Sequence, residues 1–167
     1  VERIHNEVRS VMADVGFEGD LQAFFALMRS DPQFEYASED AMLANYRRLE
    51  SKVEQRVNEQ FSIRPKAAFE VRLVEPYRAR SAAGGSYSAP SEDGTRPGIF
   101  YANSYDLPSR RRWAAESLFL HEAIPGHHFQ IALQQEAPGQ PYFRRQANVS
   151  AYTEGWGLYA EYLGEEM

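Results

Sequence analysis

The chain has 167 residues, 43% of them hydrophobic and 13% aromatic, which is enough for one domain with a real core and is not the composition of a disordered tail. A net charge of -6 and a pI near 5.3 argue against general affinity for nucleic acid or anionic membrane, and Arg110-Arg111-Arg112 is too short a run to reverse that. There is no cysteine, so disulfides and thiolate ligands are excluded, and any metal must be held by histidine and carboxylate.

The first apolar stripe, Ile4, Val8, Val11 and Met12, has helical spacing and breaks between Gly16 and Gly19. A second helix follows, capped by Asp20, with Leu21, Phe24, Phe25 and Met28 on one face and Asp31-Pro32 as its stop. Ser38 caps a long helix over 39–60, whose core face is Met42, Tyr46, Leu49, Val53 and Val57. After Pro65 the period changes to two, and 69–74 is predicted as a half-exposed strand stopped by Glu75-Pro76. A stretch rich in Gly, Ser and Pro then holds a short strand at Ser86-Tyr87-Ser88, a turn at Asp93-Gly94 and a further strand at 99–102. We expect these strands to form a small antiparallel sheet whose edge strand borders a cleft. Tyr101 and Ala102 are the residues expected to meet an extended peptide substrate through main-chain hydrogen bonds.

Leu107-Pro108-Ser109 reads as the start of a largely buried helix through Trp113, Leu118 and Leu120 that reaches His121. Helical spacing resumes at Phe129, Ile131, Ala132 and Leu133, turns at 138–141, and continues in one last helical segment from Tyr142 to Glu161. The fold expected is therefore α+β and mainly helical, a single domain over 1–167. Its parts are a helical segment (1–64), a small sheet with loops (65–107) and helices carrying a metal site (108–167). The chain starts at Val1 inside a helix and stops at Glu165-Glu166-Met167 without a terminating signal, so we expect a piece of a longer protein. It contains no apolar run of about 18 residues, hence no expected membrane span, and no signal peptide or lipidation motif.

The chemistry concentrates in His121-Glu122-Ala123-Ile124-Pro125-Gly126-His127-His128, which holds three of the four histidines. Imidazole is the commonest zinc ligand, and a Glu next to a ligand can act as general base on water activated by the metal. Two histidines one turn apart would share a helix face, but that position is Pro125 here, and His127 and His128 follow at i+6 and i+7. On an undistorted helix, i+7 lies about 10 Å further along the axis. Pro125-Gly126 lets the helix bulge and bring a second histidine back beside His121. His128 keeps the helical phase and is favoured, with His127 as the alternative. A catalytic zinc needs a third donor, for which Glu154 is the choice. Its neighbours Gly155 and Gly157 weaken a helix by about 1 kcal/mol each relative to Ala, a cost that makes sense where two helices approach closely. Glu161 lies on the same face and is expected to orient a ligand histidine through its other ring nitrogen. Two histidines and a carboxylate also describe an iron(II) triad, though such triads usually sit on strands.

These residues carry a resemblance. His-Glu on one helix, a second His and a Glu on a later helix resemble the gluzincin metallopeptidases. Gly126-His127-His128-Phe129-Gln130 is similar to a run in angiotensin-converting-enzyme-like peptidases. More closely, HEAIPGHHFQ, the upstream DGTRPGIFYAN and the downstream AYTEGWGLYAE resemble a bacterial family known as domain of unknown function 885, over about residues 86–163. That resemblance implies zincin-like helices around a zinc, peptide hydrolysis with Glu122 as general base, and a longer parent protein. A Tyr or His normally assists the oxyanion; Tyr101, Tyr105, Tyr152 and Tyr159 are the candidates. The competing expectation is a non-catalytic metal-binding or helical interaction fragment.

Overall fold

The computed structural model describes residues 1–167, and the chain divides into two compact units, Val1–Glu35 and Tyr36–Met167. In the first, helices α1 (Glu2–Asp14) and α2 (Leu21–Ser30) follow the two expected stripes. The Asp20 carboxylate accepts from Ala23 N at 2.8 Å and so caps α2. Phe17 meets Phe24 edge to face with centroids 5.1 Å apart, and Met12 and Phe24 are buried.

The second unit is built on α3 (Glu39–Gln60), with the Ser38 hydroxyl accepting from Ala41 N at its start. All five residues of its expected core face are buried. Tyr46 packs edge to face on Phe100 at 4.9 Å, and Phe100 on Phe119 at 5.9 Å; both phenylalanines are fully buried. Burying each ring contributes about 1.5–3 kcal/mol. The remaining elements are β1 (Phe69–Leu73), α4 (Pro76–Ala79), β2 (Gly85–Ser88), β3 (Gly98–Ala102), α5 (Ala115–Glu122), α6 (His127–Glu136), α7 (Tyr142–Gln146) and α8 (Ser150–Leu163).

The protein is α+β and mainly helical, but the sheet is mixed rather than antiparallel. Its order is β1-β3-β2: β1 runs parallel to β3, with Val71 opposite Phe100, and β2 runs antiparallel to it, with Tyr87 opposite Phe100. Periodicity reports which residues share a face and carries no information on strand direction. The turn-rich segment between β1 and β3, which holds α4 and β2, is long enough for the parallel return. β3 is the central strand and is buried on both faces, which is why its residues do not alternate.

Two further expectations are corrected. Leu107–Ser109 and Arg112–Ala114 are single 3-10 turns, the helix itself begins at Ala115, and Trp113 stays 49% exposed. The last helical segment is split by Ala147–Val149 into α7 and α8.

One buried polar residue closes the β3 end. Asn103, 1% exposed, directs its amide nitrogen at the carbonyls of Ala79, Ala82 and Ala83 at 2.8–3.0 Å, and its amide oxygen accepts from Tyr105 N. Asn103→Ala strands those carbonyls away from water and is expected to cost about 2–3 kcal/mol in denaturant unfolding. Asn103→Asp, which keeps the shape but turns the donor into an acceptor, is expected to cost at least as much; a neutral result for either would mean that water replaces the amide.

Candidate metal centre

α5 delivers His121 and Glu122 in its last turn and then ends, because Ala123 and Gly126 leave helical dihedrals. A Cβ at Gly126 would lie 1.9 Å from the His121 carbonyl oxygen and 2.3 Å from that of Leu120, so only glycine lets the chain fold back so tightly on α5. α6 restarts at His127 with a new phase. The rings of His121 and His127 therefore meet edge to face, with centroids 4.8 Å apart. The expected bulge exists, but it brings His127 to His121, not the favoured His128; helical phase was the wrong guide because the helix does not continue through Pro125-Gly126.

The third member comes from α8. Trp156 donates its indole N–H to the Pro125 carbonyl at 2.9 Å, which fastens α8 to the break between α5 and α6. On α8, Glu154, Gly157 and Glu161 share a face by their spacing. Gly157 lies against His121, where a Cβ would sit 2.6 Å from ring atoms Cε1 and Nε2. Gly155 has open space around its Cβ position, so only one of the two glycines answers to the close approach. Donor atoms of His121, His127 and Glu154 lie within 4.8 Å of one another, with His121 Nε2 3.3 Å from Glu154 Oε2.

Protonation follows from the partners. The Glu161 carboxylate accepts from His121 Nδ1 at 2.7 Å and also accepts from the Ser117 hydroxyl. The other ring nitrogen of His121, Nε2, faces Glu154 Oε2 at 3.3 Å. His127 Nδ1 is buried with no hydrogen-bond partner. Two imidazoles and a carboxylate whose donor atoms lie within 4.8 Å of one another are a donor set that suits zinc. Glu122 flanks the trio, with its Oε2 3.9 Å from His127 Nε2. Burial raises its pKa above the usual carboxylate value; His121 and a hydrogen bond from Tyr87 N–H pull it down, and Glu154 adds to the rise. Burial likewise lowers the His127 pKa, with the His121 charge acting the same way and Glu154 against it.

His128 points elsewhere. Its Nδ1 lies 2.9 Å from the Tyr87 hydroxyl, its ring packs at 4.9 Å on Phe69, and it also bonds the Ala67 backbone. Donation to the Ala67 carbonyl leaves Nδ1 as acceptor, so the Tyr87 O–H is committed to His128. Gly98 makes room for this pair, since a Cβ there would lie 2.5 Å from His128 Nδ1 and 2.6 Å from the Tyr87 oxygen. Tyr87 thus links the two neighbours of the cluster, His128 by its side chain and Glu122 by its backbone. No sequence signal marked it beyond the short strand.

Tyr101 and Ala102 are also displaced from their expected role. Both lie on β3, paired on one side to Arg72 and Leu73 and on the other to Ser86 and Gly85, so their strand has no free edge. Arg78 covers the Tyr101 ring at 4.6 Å, and Ala102 is fully buried. The edge strand beside Glu122 is β2.

This is a mainly helical α+β protein with a histidine and carboxylate cluster held between three helices and bordered by an edge strand. The chain belongs to the family described as "Bacterial protein of unknown function (DUF885)", which matches residues 1–167. It is similar, at 30% identity and a TM-score of 0.92, to a crystal structure described as that of a "putative lipoprotein" from Colwellia psychrerythraea. The match covers 99% of this chain and 29% of that one, so this chain spans less than a third of that protein's length. Comparison with curated proteins finds no match.

Two outcomes are expected from this geometry. Gly157→Ala drives a methyl into the His121 ring and should both destabilise the protein and disturb the cluster, whereas Gly155→Ala should leave the cluster alone and gain up to about 1 kcal/mol of helix stability; thermal unfolding of the pair checks this, and equal effects would contradict it. For His128, burial lowers the folded pKa from 6.5 to about 4. Between those values the unfolded chain binds a proton that the folded protein does not, so stability is full above about pH 6.5 and falls toward pH 4, by at most about 3 kcal/mol. Denaturant midpoints of metal-free protein across that range should show a steeper fall in the parent than in His128→Gln.

Proposed function

We propose that this chain carries the metal centre of a zinc-dependent peptidase, with His121, His127 and Glu154 as ligands and Glu122 as general base. The observation that carries the reading is the convergence of those three donors from three helices with Glu122 beside them. Zinc held there supplies Lewis acidity, lowering the pKa of water toward about 7 and polarising a scissile carbonyl. Glu122 takes the proton of the attacking water and returns it to the leaving amine. Its raised pKa suits that shuttle, because a carboxylate nearer to neutral accepts and releases a proton with less bias. Tyr87 N–H holds the carboxylate in place, and Glu161 keeps the His121 proton on Nδ1 so that Nε2 is free to ligate. Peptide is the substrate class favoured by β2, an edge strand along which an extended chain can pair. A second reading is favoured by the fraction of the solved relative that is matched: the chain holds the metal, while substrate binding needs other parts of a longer polypeptide.

Elemental analysis after dialysis should find about one zinc per chain, retained in Glu122→Gln and lost from Glu154→Ala. Glu161→Gln should weaken zinc by about 10- to 100-fold. In a peptide-library digest, Glu122→Gln should be slower than the parent by at least about 100-fold. Zinc without cleavage in the parent would select the second reading, and a parent that refuses zinc when supplied would remove both.

A further inference from the structure

At the start of α5, away from the histidines, a cavity of about 130 Å3 is bordered by Tyr36, Tyr46, Gly84, Ser109, Arg110 and Arg111, and by no aspartate or glutamate. Its charged groups are arginines, and the tyrosine hydroxyls can donate. Arg110 Nε is buried without a hydrogen-bond partner, and its guanidinium, which lies against Gly84, makes no ion pair within the protein. The Tyr36 oxygen accepts from Asn45 Nδ2 at 3.0 Å, which leaves its own proton to donate. Tyr46, 5% exposed, also borders the cavity. The Ser109 hydroxyl is spent on the Asp106 carbonyl. Burial raises the pKa of both tyrosines, so they remain protonated donors. Arg48 and Arg112 act on Tyr36 and Arg110 on Tyr46, all in the opposite direction, so the cavity carries positive potential within an acidic protein. The positive end of α5, at Ala114 and Ala115, adds to it.

We propose that this cavity is a binding site for a small oxyanion, a phosphate or a carboxylate group, held by Arg110 Nε–H and the hydroxyls of Tyr36 and Tyr46. A water molecule would answer the hydroxyls but not a partly buried guanidinium without a counterion, whereas an oxyanion supplies both acceptors and charge. Nothing in this site draws on the metal cluster, so it stands whether or not the chain is a peptidase.

The test is calorimetric titration of the 167-residue chain, freed of metal by dialysis against chelator, with sodium phosphate and separately with sodium acetate, ionic strength being held constant with sodium chloride. One anion per chain is expected, with a Kd on the order of 1 mM. Arg110→Gln should weaken it at least about tenfold, and Arg110→Lys, which keeps the charge but loses the planar fork, should fall between. Arg29→Gln, at an exposed position, should leave it unchanged. Tighter phosphate assigns a phosphate group and tighter acetate a carboxylate; either supports the site. No saturable binding of both anions by the parent overturns it, as does binding that survives unchanged in Arg110→Gln and Arg110→Lys. Circular dichroism reports whether each variant is folded; should Arg110→Gln fail to fold, the parent and Arg110→Lys decide.

Discussion

α8 approaches α5 so closely that a single methyl at position 157 would collide with the His121 ring at 2.6 Å. That contact decides what the cluster is made of. It sets Glu154 one turn before the glycine and Glu161 one turn after it, so that the two carboxylates reach His121 Nε2 and Nδ1 at 3.3 and 2.7 Å. One ring is thereby held from both sides, Nδ1 against Glu161 and Nε2 against Glu154. Trp156, bonded to the Pro125 carbonyl, fixes the height of α8 against the break, and the same break has just delivered His127. The site is therefore a property of three backbone segments in contact more than of any one side chain.

His127 and His128 are neighbours in sequence and opposites in role. Both are buried, and burial lowers the pKa of both, yet one ends with an unpartnered nitrogen and the other with both nitrogens bonded. A buried neutral imidazole is stable only when its donor and its acceptor are answered. His128 meets that condition within the protein, through Ala67 and Tyr87. His127 does not: its Nδ1 has no partner within the protein. Residue type alone could not have separated them.

Much of the fold was legible because helical and strand periods are local. The α3 core face, the Asp20 and Ser38 caps and the three strand positions all follow from spacing and cap chemistry. Glu161 and Glu154 both lie against His121. What was not legible depends on dihedrals or partners distant in sequence. The phase of α6 is set by how Gly126 packs on the carbonyls of Leu120 and His121, a contact with no periodic signature. The direction of β1 and the central place of β3 are set by topology, so an edge was assigned to Tyr101 and Ala102 when the edge strands are β1 and β2. Tyr87 joins Glu122 and His128 across the sheet, and nothing near it in sequence announces that.

α5 also relates two sites of opposite sign. Its first residues border the arginine-lined cavity, and its last carry His121 and Glu122, six or seven positions on, which at 1.5 Å per residue is about 10 Å. Unit charges that far apart interact by about 0.4 kcal/mol in water and about 1.7 kcal/mol at an effective dielectric near 20. An oxyanion at Arg110 would therefore help a cation at the cluster only slightly, by less than about 20-fold at the upper limit and far less under physiological salt. With both proposed ligands bound, the two sites would act as nearly independent electrostatic units. Each end is then balanced by its own surroundings: Glu154 and Glu161 stand against His121 at one end, and the cavity at the other is bordered by Arg110 and Arg111 and by no carboxylate.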